Sequence, residues 1–240
     1  MRLLARKKVV LVIVEGPSDD TALGIMLSKI YDKKSVHVQI MHGDITTRKG
    51  VHSNNIVAKI GNEVRGFAKS NHYLPKDFEE IIHLVDTDGA YIPDEKIILD
   101  MNADHIMYEA DGIHTTSQQE IIARNKQKRE NLQRLRGQGK IWNIPYRVCY
   151  MSCNLDHVLH NKRNSTDDEK EIDAYAFAKK YQNDVNGFVN FICNSDFSVS
   201  GDYKESWEHI EKGMNSIERN TNLGIWIMEE IDKENTKMES

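Results

Sequence analysis

The chain has 240 residues, of which 37 are acidic and 32 basic, and its formal net charge is −5. Hydrophobic residues make up 39% of the chain, so a protein of this length can bury a substantial core without disulfides. No apolar run reaches the roughly 18 residues of a membrane span, and three cysteines are too few for a secreted disulfide framework. We expect a soluble, cytoplasmic, globular protein with no membrane association, and the acidic balance argues against a broadly basic surface for nucleic acid.

The first predicted element is a buried strand at residues 8–14, a continuous run rich in β-branched residues. Residues 15–20 are typical of a turn followed by a helix start, with Ser18 as the expected N-cap and the helix extending to about residue 31. The next elements are a strand, a helix and a strand at residues 36–41, 54–70 and 80–85. This alternation predicts an α/β fold, Rossmann-like, with a mainly parallel sheet flanked by helices.

The second half of the chain begins with an insertion at about residues 90–117, in which 97–99 and 105–108 are candidate short strands. The expected elements after it are a helix at 118–136, a strand at 146–151, a helix or loop at 154–160, and helices at 169–181, 185–193 and 203–219 before a helical tail. We interpret residues 1–160 as an α/β domain that contains this insertion, and residues 161–240 as a C-terminal helical extension.

Three carboxylates follow two of the buried strands. Glu15 comes directly after the first strand, and Asp86 and Asp88 come after the third. The ends of parallel strands meet at one edge of a sheet, and alternate residues of an extended chain face the same side, so these carboxylates should cluster. Asp19, one helical turn beyond Glu15, can point back at the same place. An all-oxygen cluster suits Mg²⁺ or Mn²⁺, whereas Asp44 is interpreted as a turn residue.

The order of these motifs resembles the Toprim domain. The resemblance covers about residues 8–155 and depends on strand–Glu15-Gly16-Pro17-Ser18-Asp19, strand–Gly43 and strand–Asp86-Thr87-Asp88. Within that domain, the later part of the chain is similar to RloB/AbiLii-type proteins and to the OLD-family nucleases. The residues that carry this narrower similarity are Arg124, Asn125, Lys128, Ser152, Asn154 and His160, with Leu155-Asp156 where Phe-Glu is usual.

The resemblance implies a metal-dependent endonuclease that hydrolyses phosphodiester bonds of DNA or RNA, including tRNA. Glu15, Asp86 and Asp88 would be catalytic, with Glu15 as acid/base residue, and Mg²⁺ or Mn²⁺ would bind to these three and Asp19. It also implies the toxic effector of an anti-phage defence system that works with an ATPase partner. No glycine-rich nucleotide loop occurs in this sequence, so any ATP dependence would come from elsewhere. Assembly into a homo-oligomer is left open.

Other functions compete with this interpretation. Asp86-Thr87-Asp88-Gly89 also fits the Asp-x-Asp motif of small-substrate phosphatases and of glycosyltransferases, although neither explains Glu15. A third alternative is a regulatory Toprim-like module that binds without cutting.

A basic segment lies between the insertion and the fourth strand. Residues 124–147 contain eight basic side chains and one acidic one, which is either a solvated helix face or a phosphate-binding strip. The candidate nucleic-acid contacts are Arg124, Lys128, Arg129, Arg134, Arg136 and Lys140, and the candidate accessory site residues are Asp156, His157, His160 and Lys162. The spacing of Cys149, Cys153, His157 and His160 does not favour zinc.

Overall fold

A computed structural model describes residues 7–31 and 34–239, so residues 1–6 of the predicted first domain lie outside the described residues. Five strands form the main sheet in the order β2-β1-β3-β8-β7, in which the first four are parallel and β7 is antiparallel. The strands are β1 (Val9–Val14), β2 (Ser35–Ile40), β3 (Phe78–Asp86), β7 (Lys140–Ile141) and β8 (Ile144–Met151). The expected α/β class with a mainly parallel core sheet is confirmed.

The central strands are buried on both faces, as their continuous apolar sequences require. All six residues of β1 are buried, and β1 lies between β2 and β3. The register aligns Asp86 at the end of β3 with Met151 at the end of β8. The carboxyl ends of β1, β3 and β8 therefore meet at one edge, where ligands bind in sheets of this kind.

Helices cover both faces of the sheet. They are α1 (Pro17–Ile30), α2 (Ile56–Ser70), α3 (Gln118–Arg136), α4 (Leu155–His160), α5 (Asp167–Tyr181), α6 (Val185–Asn194), α7 (Tyr203–Ile210) and α8 (Leu223–Glu239). One core contains residues of α1, α4, α5, α6 and α8, and the opposite core contains residues of α2, α3 and α7. The helices after residue 160 thus share both cores with the sheet. None of the described helices is both long and apolar enough to cross a membrane.

The insertion folds into a small second sheet beside the carboxyl edge of the main one. Its strands are β4 (Ile97–Leu99), β5 (Met107–Glu109) and β6 (Gly112–Thr115), arranged β4-β6-β5. The sequence indicated β4 and the region of β5, but not β6. A small separate core of residues such as Ile92, Ile97 and Ile113 holds this sheet against the N-terminal end of α3.

Two predicted helix boundaries are wrong. The first helix begins at Pro17 with Gly16 as its N-cap, so Ser18 lies inside the helix; Pro is favoured at the first helical position because its missing N–H would be unpaired there anyway. The helix expected at 203–219 ends at Ile210. Gly213 then adopts a left-handed conformation with φ +53°, which ends any helical continuation and turns the chain back toward the sheet edge.

Candidate active site

A cleft at the carboxyl edge brings together four acidic residues that the sequence analysis singled out. Glu15, Asp19, Asp86 and Asp156 all line this space of about 320 Å³, together with Lys170 of α5. Glu15 directly follows β1, Asp86 ends β3 and Asp156 lies in α4. We call this space the carboxylate cleft.

Glu15 and Asp86 are the central pair of the carboxylate cleft. The backbone N–H of Asp86 donates to Glu15 Oε1 at 3.2 Å, whereas no described residue donates a hydrogen bond to the Asp86 carboxylate. Burial, followed by the charge of Glu15, raises the pKa of Asp86 well above its ordinary value. Burial also raises the pKa of Glu15 well above its ordinary value, with the ammonium of Lys128 opposing it. Two adjacent acids in this state favour protons or a cation.

Asp19 has a structural role as well as a place in the cleft. Its Oδ2 accepts hydrogen bonds from Gly16 N at 3.0 Å and Glu15 N at 3.2 Å, which are amide groups at the start of α1. A carboxylate at this position stabilises a helix N-terminus. Burial raises the pKa of Asp19, and the two backbone hydrogen bonds counteract this.

Asp88 does not face the cleft beside Asp86. The strand ends at Asp86, and Asp88 has a left-handed backbone with φ +48°, so the alternation expected of an extended chain is wrong at this point. Its carboxylate instead forms an ion pair with Lys128 and accepts a hydrogen bond from the Tyr108 hydroxyl at 3.3 Å. Arg124 donates to the Asp88 carbonyl oxygen at 2.8 Å.

Lys128 is a buried cation at the back of the site. Its side chain is 0% exposed, and it pairs with Asp44 Oδ2 at 2.9 Å in addition to Asp88. Burial alone would lower the pKa of Lys128, but the carboxylates of Asp44 and Asp88 raise it well above its ordinary value. Lys128 in turn lowers the pKa of Asp44 to about 2, against the effect of burial. Asp44, which the sequence suggested to be only a turn residue, is therefore part of this ion cluster.

Most side chains of the predicted phosphate-binding strip form hydrogen bonds or ion pairs with other residues of the protein. Lys128 is internal and cannot meet a ligand from solvent, which corrects the prediction for that residue. Arg124 is bonded to the Tyr108 hydroxyl at 3.0 Å, and Arg129 donates to the Ala90 carbonyl oxygen at 2.8 Å. Arg136 pairs with Glu211 at 2.8 Å. Only Arg134 and Lys140 of the six candidates are exposed.

Of the four accessory candidates, the structure brings only Asp156 into the cleft. Burial raises the pKa of Asp156 to about 6, so this carboxyl titrates close to neutral pH. His157 is buried, and burial lowers its pKa to about 4. His160 packs edge-on against Phe177, and the exposed Lys162 pairs with Asp173 at 2.6 Å.

The loop that carries Asp86 and Asp88 is fixed by a segment from the far end of the chain. The Ser216 carbonyl oxygen accepts from the Thr87 hydroxyl at 2.7 Å and from Gly89 N at 3.1 Å. The Thr87 hydroxyl accepts from Cys153 N at 2.9 Å. This loop is therefore held in position before any ligand binds, which is what a catalytic or binding constellation needs.

The donor set fits a hard divalent cation. Among residues 7–31 and 34–239, no three His, Cys, Asp or Glu side chains are arranged as a ready metal cage. Mg²⁺, however, is usually held by one or two carboxylates, with water and substrate phosphate completing its shell. Glu15 and Asp86 supply two such carboxylates, and the Asp86 carboxylate has no competing hydrogen bond among the described residues. Asp19 is the nearby third oxygen source.

Sequence reasoning missed Lys170 and Tyr108. Lys170 lines the cleft from α5, 155 residues after Glu15, and no local pattern marks it. Tyr108 comes from the insertion and touches both Asp88 and Arg124. The inward position of Lys128 did leave a signal. Asn125 and Lys128 fall between Ile121 and Leu132 at helical spacing, so they belong to the buried stripe of α3.

A cavity of about 720 Å³ lies between α1, β2 and α5 and contains none of the predicted site residues. Comparisons with protein-family models, with curated proteins and with solved structures find no match for this chain.

Proposed function

We propose that this protein is a divalent-cation-dependent endonuclease that hydrolyses phosphodiester bonds of DNA or RNA at the carboxylate cleft. The observation that supports this most is the pairing of Glu15 and Asp86. Two partly buried carboxylates from adjacent strands line one cleft, and burial holds the pKa of each well above its ordinary value. Such a pair is costly unless a cation or protons neutralise it.

Glu15, Asp86 and Asp19 would hold the cation. When bound, a divalent cation polarises a phosphate and makes a water molecule more acidic. Burial raises the pKa of Glu15 well above its ordinary value, and a carboxyl of this kind is suited to take and return a proton. Asp156, whose pKa burial raises to about 6, is a second candidate for proton transfer at the same cleft. In this proposal Asp88 positions the loop through Lys128, instead of binding the metal directly.

The finer biological setting is supported only by the Toprim resemblance and by the sequence. We propose that the enzyme acts as the toxic effector of an antiviral defence system, with tRNA among its substrates. By the same resemblance, an ATPase partner would restrain or trigger it.

The test is a cleavage assay on the full chain with plasmid DNA, single-stranded DNA and total tRNA, in Mg²⁺, Mn²⁺ or EDTA. We expect metal-dependent cleavage that falls by at least about 10²-fold in Glu15→Gln and in Asp86→Asn. Asp104→Asn, a charge-matched change at an exposed position in the insertion, should leave the rate unchanged. Metal-dependent cleavage that survives both site variants would contradict the proposed site.

A second readout does not depend on activity. Mg²⁺ should raise the melting temperature of the wild-type protein, because a ligand that binds only the folded state stabilises it. This shift should be lost in Asp86→Asn and kept in Asp104→Asn. Hydrolysis of a generic phosphomonoester that is lost in Asp86→Asn, without cleavage of any nucleic acid, would favour the phosphatase. Nucleic-acid binding without cleavage in any metal would favour the non-cutting module.

A further inference from the structure

A second cavity of about 320 Å³ lies directly beside the carboxylate cleft. It is bounded by the insertion on one side and by the segment that leads from α4 into α5 on the other. Lys170 lines both the cleft and this second cavity. We call the second space the basic cavity. Its lining residues that matter here are Arg163, Asn164, Ser165, Asp167 and Lys170.

Neither of the two cations of the basic cavity forms an ion pair with an acidic residue in the described part of the chain. Lys170 is partly buried, and no described residue forms an ion pair or a side-chain hydrogen bond with its ammonium group. Its charge does reach the cleft, where it opposes the burial that raises the pKa of Asp19 and of Asp156. Arg163, also partly buried, donates through Nε to the Ile217 carbonyl oxygen at 3.3 Å, and no described acid pairs with it.

These two residues differ from their neighbours. Lys162, one position before Arg163, is exposed and pairs with Asp173 at 2.6 Å. Within the lining of the basic cavity, Asp167 is the only acidic side chain among the described residues, so the cavity keeps an excess of positive charge. Partly buried cations without a partner favour an anionic ligand, because burial has removed part of their hydration.

The basic cavity also contains a free hydroxyl group. Ser165 Oγ is buried and has no hydrogen-bond partner among the described residues. Asn164 is fixed by two hydrogen bonds to the backbone of Tyr108, at 2.9 and 3.0 Å, which joins the α5 side of the cavity to the insertion. The N-terminus of α5 is already capped by Thr166 and Glu169, so the helix end is not the source of an anion site. The available donors are Lys170, Arg163 and Ser165.

We propose that the basic cavity binds the phosphate that is next along the nucleic-acid strand from the one at the carboxylate cleft, with Lys170 between the two phosphates. This proposal rests on the proposed nuclease function and names where the substrate strand runs. A guanidinium, an ammonium and a hydroxyl are the groups that proteins use for phosphate contacts. The strand would therefore cross the edge of the sheet from the cleft toward α5 and the insertion, and would not follow the outer face of α3.

The test measures binding separately from cleavage. A fluorescein-labelled single-stranded oligonucleotide of about 12 nucleotides is titrated with the Glu15→Gln protein, with anisotropy as the readout and several salt concentrations. In this background we expect Lys170→Met and Arg163→Met each to weaken binding about 10-fold. Each should also reduce the slope of log K against log[salt] by about 0.7, the value for one lost phosphate contact on a single strand. Lys170→Arg should restore most of the affinity.

Two matched controls remove a cation elsewhere. Lys162→Met removes the neighbouring paired lysine, and Lys126→Met removes an exposed lysine on the outer face of α3. Neither should change affinity by more than about 2-fold, since surface changes have small effects. Unchanged binding in Lys170→Met and Arg163→Met would overturn the proposal, and a loss confined to Lys126→Met would place the strand on α3. Inorganic phosphate is also added as a competitor. If it displaces the oligonucleotide when its concentration equals that of the oligonucleotide's own phosphate groups, the cavity instead binds a small phosphorylated ligand.

The outcome is distinguishable from failure of the nuclease proposal. If the basic-cavity variants weaken binding while Glu15→Gln leaves cleavage intact, the phosphate site stands and the catalytic assignment fails. If Glu15→Gln abolishes cleavage while the basic-cavity variants bind normally, the catalytic assignment stands and the phosphate site fails.

Discussion

Removing the charge of Lys128 should destabilise the protein strongly. Lys128→Met keeps most of the length of the side chain but removes the cation that pairs with Asp44 and Asp88. Removing one partner of a buried ion pair costs about 3–5 kcal/mol, because the remaining charge is uncompensated. The Asp44 and Asp88 side chains are 14% and 22% exposed, so water screens them in part, and we expect about 3 kcal/mol, the lower end of that range.

The measurement is urea-induced unfolding at neutral pH in EDTA, which prevents divalent cations from taking the place of the lysine. With an m-value of about 3 kcal/mol/M, a loss of about 3 kcal/mol lowers the midpoint by about 1 M. The cost should shrink as the pH falls toward 4, because Asp44, whose pKa Lys128 lowers to about 2 in the wild-type protein, then takes up a proton more readily in the variant.

Two further variants test the physical reason for this cost. Lys126→Met removes an exposed lysine from the same helix, and its unfolding free energy should stay within about 0.5 kcal/mol of wild type. Lys128→Met combined with Asp44→Asn and Asp88→Asn should recover much of the lost stability, since replacing a whole ionic cluster by neutral groups is close to neutral. A Lys128→Met protein as stable as wild type would refute the internal ion cluster.

Three other predictions concern the cleft, the acid response and the insertion. Glu15→Gln should raise the melting temperature in EDTA by a few degrees, because it removes a carboxyl group whose pKa is raised by burial. A gain of about 1 kcal/mol has an effect of this size on the melting temperature of such a domain. An unchanged or lower melting temperature would contradict this reasoning. Burial lowers the pKa of His83 to about 4, so between pH 6.5 and 4 the unfolded chain binds a proton that the folded chain does not. The free energy of unfolding should therefore fall over this range by at most about 1.4 kcal/mol per pH unit. Urea titrations of His83→Gln should show a weaker dependence of the free energy of unfolding on pH. Gly112→Ala should destabilise the protein by at least about 2 kcal/mol in thermal unfolding, because a Cβ there lies 2.0 Å from the Lys96 carbonyl oxygen. Gly66 is an exposed helical position with no close neighbour. The control Gly66→Ala should therefore stabilise the protein by about 0.5–1 kcal/mol.

The parts of the fold that are encoded locally could be predicted from the sequence. The six apolar residues of β1 predict a strand that is buried on both faces, and the apolar spacing of α2 predicts which face of that helix is buried. The helix α3 has the predicted bounds. The positions of Glu15 and Asp86 at one edge followed from the rule for parallel strands. The helix end at Ile210 was missed because the stretch after it is compatible with a helix, apart from Gly213.

The parts of the candidate site that depend on distant segments could not be predicted. Asp44 and Lys128 are 84 residues apart, and a charged residue in a basic run is usually solvated, so local composition gave the wrong environment for Lys128. The contribution of Lys170 depends on how α5 packs beside α1. Asp88 was misplaced because one left-handed residue turned its side chain away from Asp86.

The bond network around Ser216 has a consequence for synthesis of the chain on the ribosome. The loop with Asp86 and Asp88 is held by carbonyl oxygens of Ser216 and Cys153, and the Asn220 carbonyl oxygen accepts from Ser152 N at 2.8 Å in the same region. A nascent chain that ends before these residues has both halves of the carboxylate pair but lacks the contacts that fix them. The loop is therefore fixed only after the segment around Ser216 has been synthesised, 129 residues after Thr87.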